Sequence, residues 1–438
     1  MLLVTLIWTQ SNSVCMAQGG VSSMSVGMMR SGILPLPAEI RIEEFINYHR
    51  HVLPVPTDQP LGLDVKRLSH NNKDYLQIGL ATPRDADFDK APPLNLVLVV
   101  DCSGSMSVGN RMDRVRRGLS LLMERMRPKD LVSIVSFSDT ADLRLAACEK
   151  TNGARIRAGI ESLQPGSSTN LHAGLMLGYQ TAMEHFDSAR SNRVILLTDG
   201  IANMGTTDPA QISKESKSFN KKGVDLSTIG VGQDFNHQLL RELASAGKGA
   251  VHFVNDQSDL TKCFLDEFDS LLSPSARNLE LSIHGIRLKN VPTVFGYKPT
   301  ITDDVLKVKL ENMSSGATQV VILEFDQPID SPLEIKVKFS DALTGEKRVL
   351  TKSLHESNTN KGEGDFRKNL AIAIVAQGLL DIAKKDAEGE SFKPVHQKTL
   401  KKALRNAKQL FPQHEEDTDF SRIAKIAHQL TESKNFAN

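Results

Sequence analysis

The residues of this chain best suited to chemistry stand at the end of an apolar run. Leu96-Val97-Leu98-Val99-Val100 leads into Asp101-Cys102-Ser103-Gly104-Ser105, which places a carboxylate and two hydroxyls at alternate positions on the turn leaving a buried strand. Two more oxygen-bearing side chains stand in comparable places downstream. One is Thr169 in Gly166-Ser167-Ser168-Thr169-Asn170. The other is Asp199, which closes the apolar run Val194-Ile195-Leu196-Leu197-Thr198 and precedes Gly200. Carboxylate, hydroxyl and water oxygens are the ligands of a hard divalent cation such as Mg²⁺, with Mn²⁺ or Ca²⁺ as alternatives. Only two of the five donors are carboxylates. An ion held this way stays short of negative charge and gains from a further carboxylate, which a partner protein can supply.

Each piece has a plainer reading by itself. Asp-x-Ser-x-Ser can be a helix N-cap with turn chemistry. Thr169 can cap a helix starting near Asn170, and Asp199-Gly200 can be a turn that ends a strand. The conjunction selects the metal, because two of the three segments follow apolar strands and ligands of open α/β sheets gather at the carboxyl ends of strands.

Catalytic readings fare worse. A phosphatase of the Asp-x-Asp type needs a carboxylate where Ser103 stands, and a cysteine-based one needs Arg where Val108 follows Cys102 by six residues. No Gly-x-Ser-x-Gly elbow, phosphate-binding Gly-x-x-x-x-Gly-Lys-Ser/Thr loop or His-Glu-x-x-His pair occurs. The expectation is a protein that is not an enzyme.

The elements that must position these groups follow from periodicity. From residue 94, apolar strands near 94–100, 131–137, 193–198, 224–231 and 250–254 alternate with helical patterns near 111–126, 153–163, 170–186, 207–221, 236–246 and 257–272. A short edge strand is expected at 139–147. Continuous apolar strands separated by helices predict a doubly wound, mostly parallel sheet covered on both faces. After Pro274 the period switches to two, as in Val305-Leu306-Lys307-Val308-Lys309-Leu310, and predicts half-buried strands of an accessory β-sandwich. Two runs at 61–68 and 74–81, separated by turn residues around Asn71-Asn72, form a hairpin that could complete it. The α/β unit would then be an insertion in a β unit. The tail is helical: Leu400, Ala403, Leu404, Ala407 and Leu410 share an apolar face. Lys398, Lys401, Lys402, Arg405 and Lys408 line a flank that either meets an anionic partner or lipid headgroups, or is simply solvated.

Asp101-Cys102-Ser103-Gly104-Ser105-Met106, the Gly-Ser-Ser-Thr-Asn loop and Leu-Leu-Thr-Asp-Gly together resemble the metal-ion-dependent adhesion site of von Willebrand factor type A (vWA) domains, over about residues 91–272. The resemblance implies a Rossmann-like α/β fold in which Asp101, Ser103, Ser105, Thr169 and Asp199 are the metal ligands. Ser103, Ser105 and Thr169 would be direct, and Asp101 and Asp199 direct or through water. Cys102 departs from the family's usual small aliphatic or Thr. Arg41-Ile42-Glu43-Glu44-Phe45-Ile46-Asn47-Tyr48 resembles the N-terminal signature of the YfbK-like bacterial subgroup, with His49 in place of its usual aromatic.

The expected organisation is a leader and flexible linker at 1–38, an N-terminal extension with a hairpin at 39–90, the vWA domain at 91–272, a β-sandwich at 273–355 and a helical region at 356–438. With 438 residues there is room for two to three domains. A net charge of +1 implies no bulk attraction to nucleic acid, and 5% aromatics offers few stacking platforms for single strands. Cys15, Cys102, Cys148 and Cys263 form no Cys-x-x-Cys pair, so zinc-ribbon and thioredoxin-like readings fail; buried thiols are expected. The apolar run at residues 2–8 is too short to span a bilayer and reads as a signal-peptide core with Cys15-Met16-Ala17 as cleavage site, although a basic n-region is missing. The expected role is a metal-dependent adhesion or assembly module of the bacterial cell envelope that binds an acidic residue of a protein ligand, with no nucleic acid and no transmembrane span. The alternatives are a cytoplasmic location, a structural subunit with a vestigial metal site, and a metal-dependent hydrolase.

Overall fold

The computed structural model describes residues 29, 34–37, 40–84, 91–231, 236–254, 274–286, 291–354, 363–388 and 394–432. The leader run at 2–8, Cys15, Cys263 and the helix expected at 257–272 lie outside them. In chain order, helix α1 (Ile42–Ile46) precedes strands β1 (Gly62–His70) and β2 (Lys73–Ala81). The α/β unit follows as β3 (Leu94–Asp101), α2 (Arg111–Arg125), β4 (Leu131–Phe137), β5 (Ala141–Glu149), α3 (Gly153–Glu161), α4 (Leu171–Glu184), β6 (Ser191–Thr198), α5 (Pro209–Lys221), β7 (Asp225–Val231), α6 (His237–Ala246) and β8 (Lys248–Val254). Next come β9 (Pro274–His284), β10 (Thr293–Val294), β11 (Thr300–Thr302), β12 (Val305–Lys309), β13 (Met313–Ser314), β14 (Thr318–Phe325), β15 (Leu333–Asp341) and β16 (Lys347–Leu354). Helices α7 (Glu363–Ala387), α8 (Pro394–Leu410) and α9 (Thr418–Glu432) follow.

The central sheet runs β5-β4-β3-β6-β7-β8, parallel except for β5, which pairs antiparallel with β4 at the edge. Every residue of β3 and β6 is buried, because helices cover both faces. Leu96, Leu98 and Val100 point to one side and pack with Val115, Leu119 and Leu122 of α2. Val97 and Val99 point to the other and pack with Leu175 and Tyr179 of α4. Gly178 lets α4 lie close, since a Cβ there would collide with Val99 Cγ2. The chain leaves β3 for β4 on one side and returns to β6 on the other. The strand order therefore reverses between β3 and β6, which opens a crevice beyond their carboxyl ends.

Two antiparallel sheets form a second unit, one ordered β1-β2-β14-β10, the other β11-β12-β9-β15-β16 with β13 beside β9. β2 pairs with β14 from Ala81↔Thr318 to Asp74↔Phe325. Strands from either side of the α/β unit thus share one sheet, and that unit is inserted between β2 and β9. Asn71 and Asn72 both adopt positive φ, 52° and 58°, in the two-residue loop joining β1 to β2. This is the turn whose twist matches a hairpin, and Asn tolerates it.

One expectation needs correcting. Val320 to Phe325 reads as a half-buried strand, yet almost all of β14 is buried. Val321 and Leu323 face the opposing sheet, where they meet Leu281 and Ile335. Val320 and Ile322 face the other way, into a cluster with Phe45 and Ile46 of α1, Phe366 and Leu370 of α7, and Ile423 of α9. The helical tail covers the outer face of the sandwich, in keeping with the continuous apolar run Val320-Val321-Ile322-Leu323.

Candidate functional site

Asp101 is the last residue of β3 and has no exposed surface. Its Oδ1 accepts a hydrogen bond from the Ser103 N–H at 2.8 Å, and its Oδ2 accepts one from Thr198 Oγ1, at the end of β6, at 2.6 Å. Burial pushes its carboxyl up to about 6, against those hydrogen bonds and in concert with the nearby Asp199. The hydroxyls of Ser103 and Ser105 are 3.0 Å apart, and Ser105 donates to Asp199 Oδ1 at 2.6 Å. Asp199, just past β6, is itself buried.

Thr169 is brought to the same place by a clamp. Its N–H donates to Asn203 Oδ1 at 2.9 Å and its carbonyl accepts from the Asn203 N–H at 3.1 Å, which ties the loop before α4 to the loop after β6. A methyl group built on Gly200 would sit 3.3 Å from Thr169 Oγ1 and 3.9 Å from Ser105 Oγ, so both hydroxyls border one small space. All five expected residues therefore meet at the switch point between β3 and β6.

The capping alternatives do not describe these side chains. Ser103 precedes a 3₁₀ turn but makes no side-chain cap, and α2 starts after Asn110, not after Ser105. The cap of α4 is Asn170, which accepts from the Ala173 N–H at 3.1 Å and leaves the Thr169 hydroxyl without that task.

Three supporting groups were not among the residues expected from the sequence, although Thr198 lies inside the Leu-Leu-Thr-Asp-Gly motif. Thr198 holds Asp101. Asp139 accepts from Ser167 Oγ at 2.7 Å and from the Ser168 N–H at 2.8 Å, which fixes the loop that bears Thr169 and holds the Asp139 carboxyl below its ordinary range. Arg111 donates from Nη1 to Asp199 Oδ2 at 2.7 Å and lies 3.4 Å from the Ser105 carbonyl. Arg111 left a further clue: it is the first residue of a helix, where a cation opposes the helix dipole, and Asp199 offsets that.

Among the described residues no group of three or more His, Cys, Asp or Glu gathers to hold a metal ion. A cation here would depend on hydroxyls as much as on carboxylates. The spacing suits a small octahedral ion: Mg–O distances of about 2.0–2.1 Å place adjacent ligands roughly 2.9 Å apart. The Ser103–Ser105 and Ser105–Asp199 separations of 3.0 and 2.6 Å bracket that value.

Residues 95–266 match the family model described as von Willebrand factor type A domain. The uncharacterized protein YfbK of Escherichia coli (strain K12) is 27% identical over 355 residues, 78% of this chain and 60% of that protein. The chain thus spans about three-fifths of that relative's length. The uncharacterized protein sll0103 of Synechocystis is 26% identical over 294 residues, covering 64% of this chain and 69% of that one. Among solved structures, a von Willebrand factor type A protein from Catenulispora acidiphila superposes with a TM-score of 0.56 at 13% identity, over 80% of this chain and 87% of that one; this likeness shows the fold.

Proposed function

We propose that this protein, which carries a von Willebrand factor type A domain over residues 95–266, is a non-catalytic, divalent-cation-dependent protein-binding module of the bacterial cell envelope. Domains of this kind mediate protein–protein interactions. The observation that carries the finer reading is the charge balance of the site. Five oxygen donors converge on the switch point with two carboxylates among them, and Arg111 already neutralises one of these, Asp199.

Ser103, Ser105 and Thr169 would hold Mg²⁺ through their hydroxyls, while Asp101 and Asp199 would bind directly or through water. The bound ion supplies a Lewis-acidic position that a partner's Asp or Glu can occupy. Asp101 is kept in place by Ser103 and Thr198, and Arg111 keeps Asp199 from satisfying the ion's charge fully. The neighbours of Ser105 Oγ are another hydroxyl and the Asp199 carboxylate, whose other oxygen Arg111 holds; among the described residues no histidine is bonded to either serine. That favours recognition over nucleophilic chemistry. Placement in the envelope rests on the apolar run at residues 2–8. No helix among the described residues is long and apolar enough to cross a membrane.

The test is calorimetric titration of Mg²⁺ and Mn²⁺ into the wild type and into the double variant Asp101→Ala, Asp199→Ala. Saturable binding by the wild type alone is expected. Equal binding by both proteins would sink the metal reading. Binding of metal without any EDTA-sensitive protein partner from the cell envelope would leave the ion but remove its proposed purpose.

A further inference from the structure

Helix α8 is distinctive in its charge. Its 17 residues include no Asp or Glu, yet they carry Lys398, Lys401, Lys402, Arg405 and Lys408. All five are exposed. Among the described residues none of the five has an acidic partner within ion-pair distance, whereas Lys368 of the neighbouring α7 has two, Asp417 and Asp419. The whole chain has a net charge of only +1, so five positive charges on one helix are a strong local segregation.

Geometry fixes where they point. At 3.6 residues per turn the five cations fall within an arc of about 120°, and 1.5 Å per residue spreads them over about 15 Å. Leu400, Ala407 and Leu410 occupy the opposite side of α8 and are fully buried. That side is pressed on α7 so closely that a Cβ at Gly378 would come within 2.9 Å of Ala403 Cβ. α8 cannot roll without breaking this packing, so the basic face looks outward.

We infer that the outward face of α8 is an electrostatic docking surface for an anionic phospholipid bilayer. Charge complementarity gives the sign of the partner. The composition of the face chooses among partners of that sign. Among the described side chains of α8 the other exposed ones are Asn406 and Gln409, neither aromatic nor aliphatic. A protein interface needs an apolar centre and is depleted in Lys. Single-stranded nucleic acid needs stacking surfaces, and bidentate phosphate recognition favours Arg, of which there is one. Five long, flexible cations on the outward side of an anchored helix suit a plane of phosphate headgroups, and with no apolar side chain exposed among the described residues of that side the association is peripheral. It is independent of the metal site.

The experiment is flotation of the full chain with vesicles of phosphatidylglycerol and phosphatidylcholine in equal parts, against pure phosphatidylcholine vesicles. Each cation near an anionic surface is worth about a fivefold gain in partitioning. Lys401→Glu, Lys402→Glu and Arg405→Glu together are expected to cut binding on the order of a hundredfold or more. Raising salt from about 50 mM to about 500 mM should release the wild type, because screening shortens the reach of the field. The milder pair Lys398→Gln and Lys408→Gln should lose an intermediate amount, with circular dichroism of both variants unchanged. Asp101→Ala should float like the wild type. Equal binding to neutral vesicles, anionic binding indifferent to the substitutions, or tighter binding to a short DNA duplex than to the vesicles would each overturn the proposal.

Discussion

Arg111 offers the sharpest test of how the site is built. Its guanidinium lies 2.7 Å from Asp199 Oδ2, with the Arg side chain 21% exposed and the Asp side chain fully buried. A divalent ion among the five donors would stand on the order of 6 Å from that guanidinium. At an effective dielectric constant of roughly 40, a unit charge at that distance repels a double charge by about 3 kcal/mol. Solvent at the exposed part of Arg111 reduces this to about 1–2 kcal/mol. Arg111→Gln is therefore expected to bind Mg²⁺ or Mn²⁺ about 5- to 30-fold more tightly. The metal-free variant should be less stable, because a buried carboxylate loses its charged partner; for a fully buried pair this costs about 3–5 kcal/mol, and partial exposure lowers it here. The two effects separate in thermal unfolding: the metal-free variant should melt lower, and its rise in Tm on adding metal, which follows affinity, should exceed the wild type's by several degrees at about 2–4 °C per kcal/mol. Arg111→Lys keeps the charge and should behave like the wild type in metal affinity. Titration calorimetry and thermal unfolding with and without metal read both quantities. If Arg111→Gln binds metal more weakly than the wild type, Arg111 positions Asp199 instead of competing with the ion, and the charge argument fails.

Other expectations follow from single contacts. Asn203→Ala removes the side-chain bond to the Thr169 N–H. It should weaken metal binding about tenfold by titration while changing unfolding by no more than about 1 kcal/mol; unchanged affinity would show that Thr169 is held without it. Gly178→Ala presses a methyl group into Val99 and should cost about 1–3 kcal/mol in urea unfolding, with a neutral result showing that α4 can shift away freely. Burial, reinforced by Glu44 and opposed by Arg41, pushes the Glu43 carboxyl of α1 up to about 7. Below about pH 4.5 that group is protonated folded or unfolded. Between there and about pH 7 only the unfolded chain releases its proton, so stability falls by up to about 3 kcal/mol across that window and then levels off. Glu43→Gln should remove this fall, and identical stability–pH curves for the two proteins would refute the assignment.

The central sheet was legible because its signals are local. Short continuous apolar runs bounded by turn residues read as strands covered on both faces, and the structure places β3, β4, β6, β7 and β8 close to the expected spans. The convergence of Asp101 and Asp199 was legible for the same reason: they are the residues on which two such runs end. The chain order of periodicities also carried the accessory β region, and Asn71-Asn72 marked its first hairpin. What escaped depends on residues distant in sequence. Glu43 and Glu44 look like the solvent side of an amphipathic turn, yet both are buried, because the turn at Gly296 packs against Glu43 and Arg41 pairs with both acids. The outer face of β14 carries Val320 and Ile322, and its cover comes from α7 and α9, elements distant in sequence that the strand itself does not name.

Arg111 belongs between these cases, and it shows how a site can announce itself through broken local rules. The segment from Ser105 to Arg111 violates several. Gly109 and Asn110 are consecutive left-handed residues with φ of 57° and 59°. The cap of α2 contributes no side-chain bond, and the helix then opens with a cation. A chain optimised only for helix stability would place Ser or Asp at the cap and no cation at the first helical position; Asp113 in the first turn keeps the ordinary preference. Here the left-handed pair turns the chain back after the loop that carries Ser103 and Ser105, so the first helical side chain reaches Asp199. The local cost is met by the Arg111–Asp199 ion pair, and the result is a cation held permanently at the edge of an otherwise acidic cluster. Departures from local preference that are compensated only at a cluster of polar residues mark function better than any one of those residues does. By that criterion Arg111 ranks with the five oxygen donors of the proposed site.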